Sequence, residues 1–148
     1  MLSAPFSFAE RAMPNTDAEA LIQAYYEAFN AKDVEGFLGL LTDDVVHDVN
    51  QGGREVGKAA FRAFLERMNR CYEEKIVDLF VMTNADGTRA AAEFTVLGVY
   101  LESDEGLPPA EGQRYSLPAG AFFEIRDGKV ARISNTYNLN DWIRQVGG

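Results

Sequence analysis

The strongest constraint on this chain is a change of hydrophobic period near its middle. Up to about Tyr72, apolar residues recur every three or four positions. Beyond Lys75 they come in alternating runs broken by turn signals. Helical spacing is clear in Ala18, Leu21, Ile22, Tyr25 and Phe29. Thr16 and Glu19 just ahead have the spacing of a capping box, which predicts a helix starting near Thr16. "DVEGFLGLL" (33–41) predicts a short second helix with Asp33 as its cap. Its two glycines make it weak by propensity, so packing must hold it. A third helix is expected over about Val56–Tyr72, with Phe61, Phe64, Leu65, Met68 and Tyr72 on one face.

Strands are expected at 45–50, 75–83, 89–101, 114–126 and 129–139. "NADGT" (84–88) and "RDG" (126–128) read as hairpin turns. "ESDEGLPPAEGQ" (102–113) reads as a surface loop or lid. Helices followed by a run of strands imply an α+β fold. The helices should cover one face of a bent, largely antiparallel sheet and leave a cavity between the layers.

With 148 residues, 47% of them hydrophobic, the chain is long enough for one domain with a real core. That domain is expected over 16–148, behind a loose tail at 1–15. A net charge of −9 offers no basic stripe for phosphates, which excludes a nucleic-acid or anionic-membrane partner. No apolar run reaches membrane-spanning length, and the opening residues lack the pattern of a secretory signal. One cysteine, Cys71, and one histidine, His47, make a zinc site improbable. The lone cysteine fits a reducing, cytoplasmic compartment and an inert core thiol.

The polar strand "VVHDVN" (45–50) is the main candidate for chemistry. Alternation puts Val46, Asp48 and Asn50 on one face and Val45, His47 and Val49 on the other. If the first face lines the cavity, Asp48 enters an apolar space and its carboxylate becomes a stronger base. If the second packs inward, Asp48 and Asn50 point to water or to the pocket mouth. Asp48 is then a structural carboxylate capping the Gly52-Gly53 turn. His47 is either a pocket acid or base, or a half-buried ring at the sheet face or a dimer contact. A dyad between these chain neighbours is geometrically poor.

Tyr25 lies on the apolar helix face. It is either a hydrogen-bond donor to a ligand oxygen or a core tyrosine bonded to the backbone; Tyr26 should point elsewhere and pack. Asn135 and Tyr137 share a strand face with Ile133, where they either touch a ligand or join a structural network. Glu93 is a possible second acid, or the partner of an arginine such as Arg89 or Arg114. Arg54 either pairs with a carboxylate or guards the pocket mouth. "GGREVG" lacks the spacing of a phosphate loop.

Two stretches, "QAYYEAFNAKDVEGFLGLLTDDVVHDVNQGG" and "FFEIRDGKVARISNTYNLNDW", resemble the opening and the last hairpin of ketosteroid isomerases and their SnoaL-like polyketide cyclase relatives. The resemblance covers roughly 16–146. It implies the NTF2-like cone: three N-terminal helices on a curved antiparallel or mixed sheet. It also implies a homodimer through the sheet face. The implied activity is cofactor-independent proton transfer, as in isomerisation or aldol-type cyclisation, on an apolar carbonyl ligand. The alternative is a non-catalytic binder of a small apolar ligand. On the family pattern Asp48 falls at or next to the general base, and Tyr25 aligns with the tyrosine that donates to the substrate oxygen. The implied site is Asp48, Tyr25 and His47 for catalysis, with Asn50, Asn135, Tyr137 and Glu93 around the substrate. The family's second donor, a protonated acid, would fall near Gly120 or Ala121. Asn138 follows Tyr137 where cyclase-like relatives often carry Asp.

Overall fold

The computed structural model describes residues 15–147. The tail expected over 1–15 lies outside the described residues except for Asn15. Ten elements follow in order: α1 (Asn15–Ala31), α2 (Val34–Leu38), β1 (Leu41–Asp48), β2 (Arg54–Val56), α3 (Lys58–Cys71), β3 (Tyr72–Thr83), β4 (Arg89–Tyr100), β5 (Arg114–Arg126), β6 (Lys129–Tyr137) and α4 (Leu139–Gly147). The six strands form one sheet in the order β2-β1-β6-β5-β4-β3. β1 runs parallel to β6 and every other neighbouring pair is antiparallel. The architecture is therefore α+β, with helices packed on a curved, unclosed mixed sheet.

Local chemistry explains the elements. Asp33 caps α2 by accepting from Gly36 N at 2.9 Å. A Cβ at Gly36 would sit 2.2 Å from Asp33 Oδ2, so a larger residue there would make the capping carboxylate shift. Asn84, Asp86 and Thr88 tie the β3–β4 turn with side-chain bonds. Gly128 takes a positive φ of 74° in the β5–β6 turn, where glycine has no steric penalty.

Three elements depart from the sequence expectation. Thr42-Asp43-Asp44, expected as a turn, belongs to β1, whose pairing with β6 is irregular between Leu41 and Val46. Arg54–Val56 forms a short edge strand on β1. The end of the last strand gives way to a fourth helix, α4, which buries Trp142 and Val146. Asn138 starts it by accepting from Asp141 N. None of the described helices is long and apolar enough to cross a membrane.

The core lies between the helices and the concave sheet face. α1 contributes Ala18, Leu21, Ile22, Tyr25 and Tyr26, and α3 contributes Phe61 and Leu65. They face Phe94, Leu117, Phe123 and Ile133 from the sheet. Cys71 is buried, and burial pushes its thiol pKa up, as an inert core cysteine requires.

Candidate active site

A cavity of about 320 Å³ opens between α1, α3, α4 and the concave sheet face. Its size suits a small ligand and its walls are largely aromatic and aliphatic. Seven groups give it chemistry: Tyr25, Tyr26, His47, Asn135, Tyr137, Glu74 and the mouth pair Arg67–Asp104.

Strand alternation and packing set the first of these. Val45 and His47 point inward, with His47 2% exposed, while Val46 and Asp48 point outward. His47 lies parallel to Phe61, with centroids 4.5 Å apart and planes 16° apart. Phe64 meets its ring edge-on at 4.5 Å. Its Nε2 stands 3.3 Å from Asn135 Nδ2. Its Nδ1 is 3.6 Å from Glu55 Oε1, within ion-pair reach but too long for a hydrogen bond. A carboxylate near Nδ1 favours the tautomer with the proton on that nitrogen, in which Nε2 accepts from Asn135 Nδ2. Burial pulls the His47 pKa below its usual value, against the opposing pull of Glu55 and Asp48. The ring is neutral at pH 7 and able to take a proton.

Asp48 stands on the opposite face. Arg54 grips it through two bonds, Nε to Oδ1 at 2.7 Å and Nη2 to Oδ2 at 3.1 Å. Arg132 Nη1 donates to Oδ2 at 3.4 Å, while its Nε donates to Glu124. These guanidinium contacts hold the Asp48 carboxyl below its usual pKa, the reverse of what a carbon-acid base needs. The expectation that Asp48 faces the cavity is therefore corrected: it is a surface ion-pair carboxylate. The physical reason is that helix packing selects the face carrying Val45 and His47. Arg54 is its partner rather than a guard of the mouth.

Tyr25 and Tyr26 both line the cavity, with ring centroids 5.0 Å apart. Burial raises both phenol pKa values, so both stay protonated donors. Tyr26, expected to point elsewhere and pack, lines the cavity, and its buried hydroxyl has no hydrogen-bond partner among the described residues. Such a group costs stability unless a ligand satisfies it.

Asn135 and Tyr137 line the cavity from β6. Asn50 lies at the mouth and clamps Tyr137 in place: its Nδ2 donates to Tyr137 O at 3.0 Å, and its Oδ1 accepts from Tyr137 N at 3.3 Å. Glu93 is exposed on the outer sheet face, in register with Phe80 and Gly120, and is not part of the cavity. No ion pair reaches it among the described residues.

Sequence reading missed Glu74. It lines the cavity beside Tyr72 and Ile76 on β3 and accepts from Tyr115 Oη. Burial raises its pKa against the lowering effect of that bond. The available signal was Gly98, a lone glycine within the apolar run of β4, which marks a close approach. The 102–113 loop does line the cavity, through Asp104, Glu105 and Leu107. Tyr100 Oη donates to Pro108 O at 2.7 Å and accepts from Asp104 N at 2.9 Å, and Tyr72 Oη donates to Asp104 Oδ2 at 2.8 Å. Among the described residues no group of three or more His, Cys, Asp or Glu side chains could hold a metal ion.

A sequence folded into this cone, with these matches, belongs to the SnoaL-like domain family, whose pattern covers residues 22–133. The chain is 63% identical to a provisionally named polyketide cyclase from Pseudomonas putida, with TM-score 0.87 over 90% of this chain and 98% of that one. It is 54% identical to a second protein so named, from Xanthomonas campestris, with TM-score 0.86 over 88% and 97%. An epoxide hydrolase of the LEH-like type from M. tuberculosis shares the fold at 21% identity, with TM-score 0.67 over 89% and 90%. A search of curated proteins returned no match.

Proposed function

We propose that the cavity catalyses cofactor-independent proton transfer on a small apolar carbonyl compound, by isomerisation or aldol-type cyclisation, with His47 as the base. One observation carries this reading. The buried, neutral His47 has a carboxylate behind Nδ1 and its Nε2 beside a cavity amide.

The steps follow from these groups. Nε2 removes a proton from the carbon next to the ligand carbonyl, and the electron pair moves onto the oxygen as an enolate. Tyr25 or the unpartnered Tyr26 hydroxyl donates to that oxygen. Glu55 stabilises the imidazolium. Asn135 turns its amide so that Oδ1 accepts the new Nε2–H. Returning the proton to another carbon completes an isomerisation. Attack of the enolate carbon on a second carbonyl, with the imidazolium proton passed to the alkoxide so formed, completes an aldol closure. The relatives named as polyketide cyclases support this class of chemistry.

The test is NMR detection of deuterium exchange at the α-carbon of a cyclic enone. Exchange that disappears in His47→Gln supports the reading; binding without exchange in wild type overturns it. The second reading is a non-catalytic ligand-binding cone. It is favoured by Gly120 and Ala121, since on the family resemblance the isomerases' second donor acid would fall near one of them.

We also infer that a second copy of the chain covers the outer sheet face. Phe80, Met82 and Phe122 are all more than half exposed; Phe80 and Met82 neighbour one another on β3, and Phe122 of β5 lies in the Met82 row across Ala91 of β4. Beside them Arg132 and Arg54 neutralise Asp48 and Glu124, which leaves Glu93, in register with Phe80, as the carboxylate within the patch that a second copy would have to accommodate.

A further inference from the structure

The segment between β4 and β5 is tied by its backbone at both ends and by side chains alone in the middle. Leu101 N and Glu102 N both donate to Cys71 O, at 2.8 and 3.2 Å. At the other end Gly112 N donates to Tyr100 O at 3.0 Å, and Gln113 O accepts from Tyr100 N at 2.9 Å. Among the described residues, 103–110 makes no backbone-to-backbone bond to any helix or strand. It closes on itself instead, through Leu107 N to Asp104 O at 3.2 Å and Ala110 N to Ser103 Oγ at 2.9 Å. Leu107 and Ala110 pack against the core, while Asp104, Glu105 and Leu107 line the cavity. Gly106 at the tip has no atom within 4 Å of where a Cβ would stand.

Two tyrosines hold this middle part down. Tyr100 Oη, at the end of β4, accepts from Asp104 N and donates to Pro108 O. Across the cavity mouth the ties to α3 and β3 converge on one carboxylate. Tyr72 Oη donates to Asp104 Oδ2 at 2.8 Å, and Arg67 Nε stands 3.9 Å from the same oxygen. Among the described residues, 103–110 makes no other hydrogen bond or ion pair to those two elements. Burial, reinforced by the bond to Asp104, raises the Tyr72 pKa, so its hydroxyl stays a donor. The 3.9 Å pair is partly solvated and contributes little, so the Tyr72 bond is the main tie. Water can satisfy each of these groups once the segment lifts. Lifting therefore costs less than parting a strand from the sheet. Arg67 also lies over the Phe64 ring at 5.6 Å, and Phe64 meets His47 edge-on. Two side chains, Arg67 and Phe64, thus separate this closure from His47.

We propose that residues 103–110 form a flap over the cavity mouth, latched by the Asp104 carboxylate to Tyr72 and Arg67, and that the flap lifts to admit and release ligand. This rests on the cavity being the ligand site and holds whatever chemistry follows there. Entry and exit then share one opening step. A weaker latch speeds both and leaves affinity nearly unchanged, whereas a residue that only lined the wall would alter exit alone.

The test uses the full chain with Tyr72→Phe, which removes the donating hydroxyl and keeps the ring stacked 5.4 Å from Tyr100. Amide hydrogen exchange, followed by NMR, reports opening without any ligand. Exchange at the Asp104 N–H should quicken about tenfold, the worth of one hydrogen bond. Exchange at Leu101 and Gly112, on the fixed ends, should not change. Stopped-flow binding of prodan, an uncharged naphthyl ketone that brightens in apolar surroundings, reports access. Its association and dissociation rates should rise together by about tenfold, with Kd held within about twofold. Asp104→Ala should act alike, and the double variant should add little, because both changes remove the same bond. Circular dichroism reports folding, and Asp104→Ala, a loop substitution, carries the kinetic test if Tyr72→Phe does not fold. Unchanged Asp104 exchange, equal quickening at Leu101 and Gly112, a change in dissociation alone, or no binding of prodan would overturn the proposal. The α-carbon exchange assay stands apart. An enone that binds without exchanging removes the proton-transfer reading and leaves the latch; unchanged prodan rates remove the latch and leave that reading.

Discussion

His47 and Glu55 face each other across the β1–β2 edge pair, Nδ1 to Oε1 at 3.6 Å, with the ring 2% exposed and the carboxylate side chain 43% exposed. β2 is only three residues long. It nevertheless places a solvated carboxylate against the inner end of a buried imidazole. The charge lies at the surface, where hydration is cheap, and the base lies inside, where a ligand can reach it.

Glu55→Gln should lower the His47 pKa further, because it removes a carboxylate that opposes the effect of burial. The chain has one histidine, so a single imidazole NMR signal reports this without overlap. The rate of α-carbon exchange should fall several-fold at its plateau. An unchanged titration would remove Glu55 from the account.

The pH dependence of stability has a defined sign. His47 in the folded state binds its proton less tightly than in the unfolded chain. As pH falls through the unfolded value of about 6.5, the unfolded chain takes up a proton first. Stability should therefore decline on acidification from that point until the folded pKa is passed. Denaturant titrations at several pH values check this, and His47→Gln should flatten that portion of the curve. Exchange activity should rise with pH through the same depressed pKa. Asp48→Asn should leave the activity profile in place and cost about 0.5–1 kcal/mol, the worth of a partly exposed ion pair.

Tyr26→Phe should not destabilise the fold and is expected to raise Tm by a degree or more, because the hydroxyl it removes is buried without a partner among the described residues. Ligand affinity should drop in the same variant. Thermal melts with and without an enone ligand separate the two effects. A large loss of stability would mean that the hydroxyl is already satisfied.

Gly98→Ala should destabilise by about 1–3 kcal/mol, since its methyl would collide with the Tyr115 ring. The double variant with Tyr115→Leu should recover part of that loss, because the clash has one partner. Urea unfolding of the four proteins in the cycle measures the coupling.

The outer sheet face gives a prediction of assembly. Phe122→Asp and Phe80→Asp each place a charge in the apolar patch, where Phe80 is 64% exposed. If a second copy covers this face, each change shifts the protein to monomer in sedimentation with little loss of monomer fold. Sedimentation of wild type as a monomer at high concentration would remove the assembly from the account.

The helix-to-strand change of period, the hairpin turns and the α3 face of Phe61, Phe64, Leu65 and Met68 were legible in the sequence because each depends on local spacing. So was the placing of His47 and Asp48 on opposite faces, since a strand alternates whatever surrounds it. Which face turns inward was not local. It was decided when β1 paired with β6 and α3 laid Phe61 and Phe64 on His47, which sent Asp48 out to Arg54 and Arg132. Likewise Glu74 reads as an ordinary strand glutamate until β4 and β5 are paired beside it. Only then does the missing side chain of Gly98 let Tyr115 reach it. Local pattern assigned elements and faces. Tertiary pairing decided which polar groups lost their water, and with it which of them could act on a ligand.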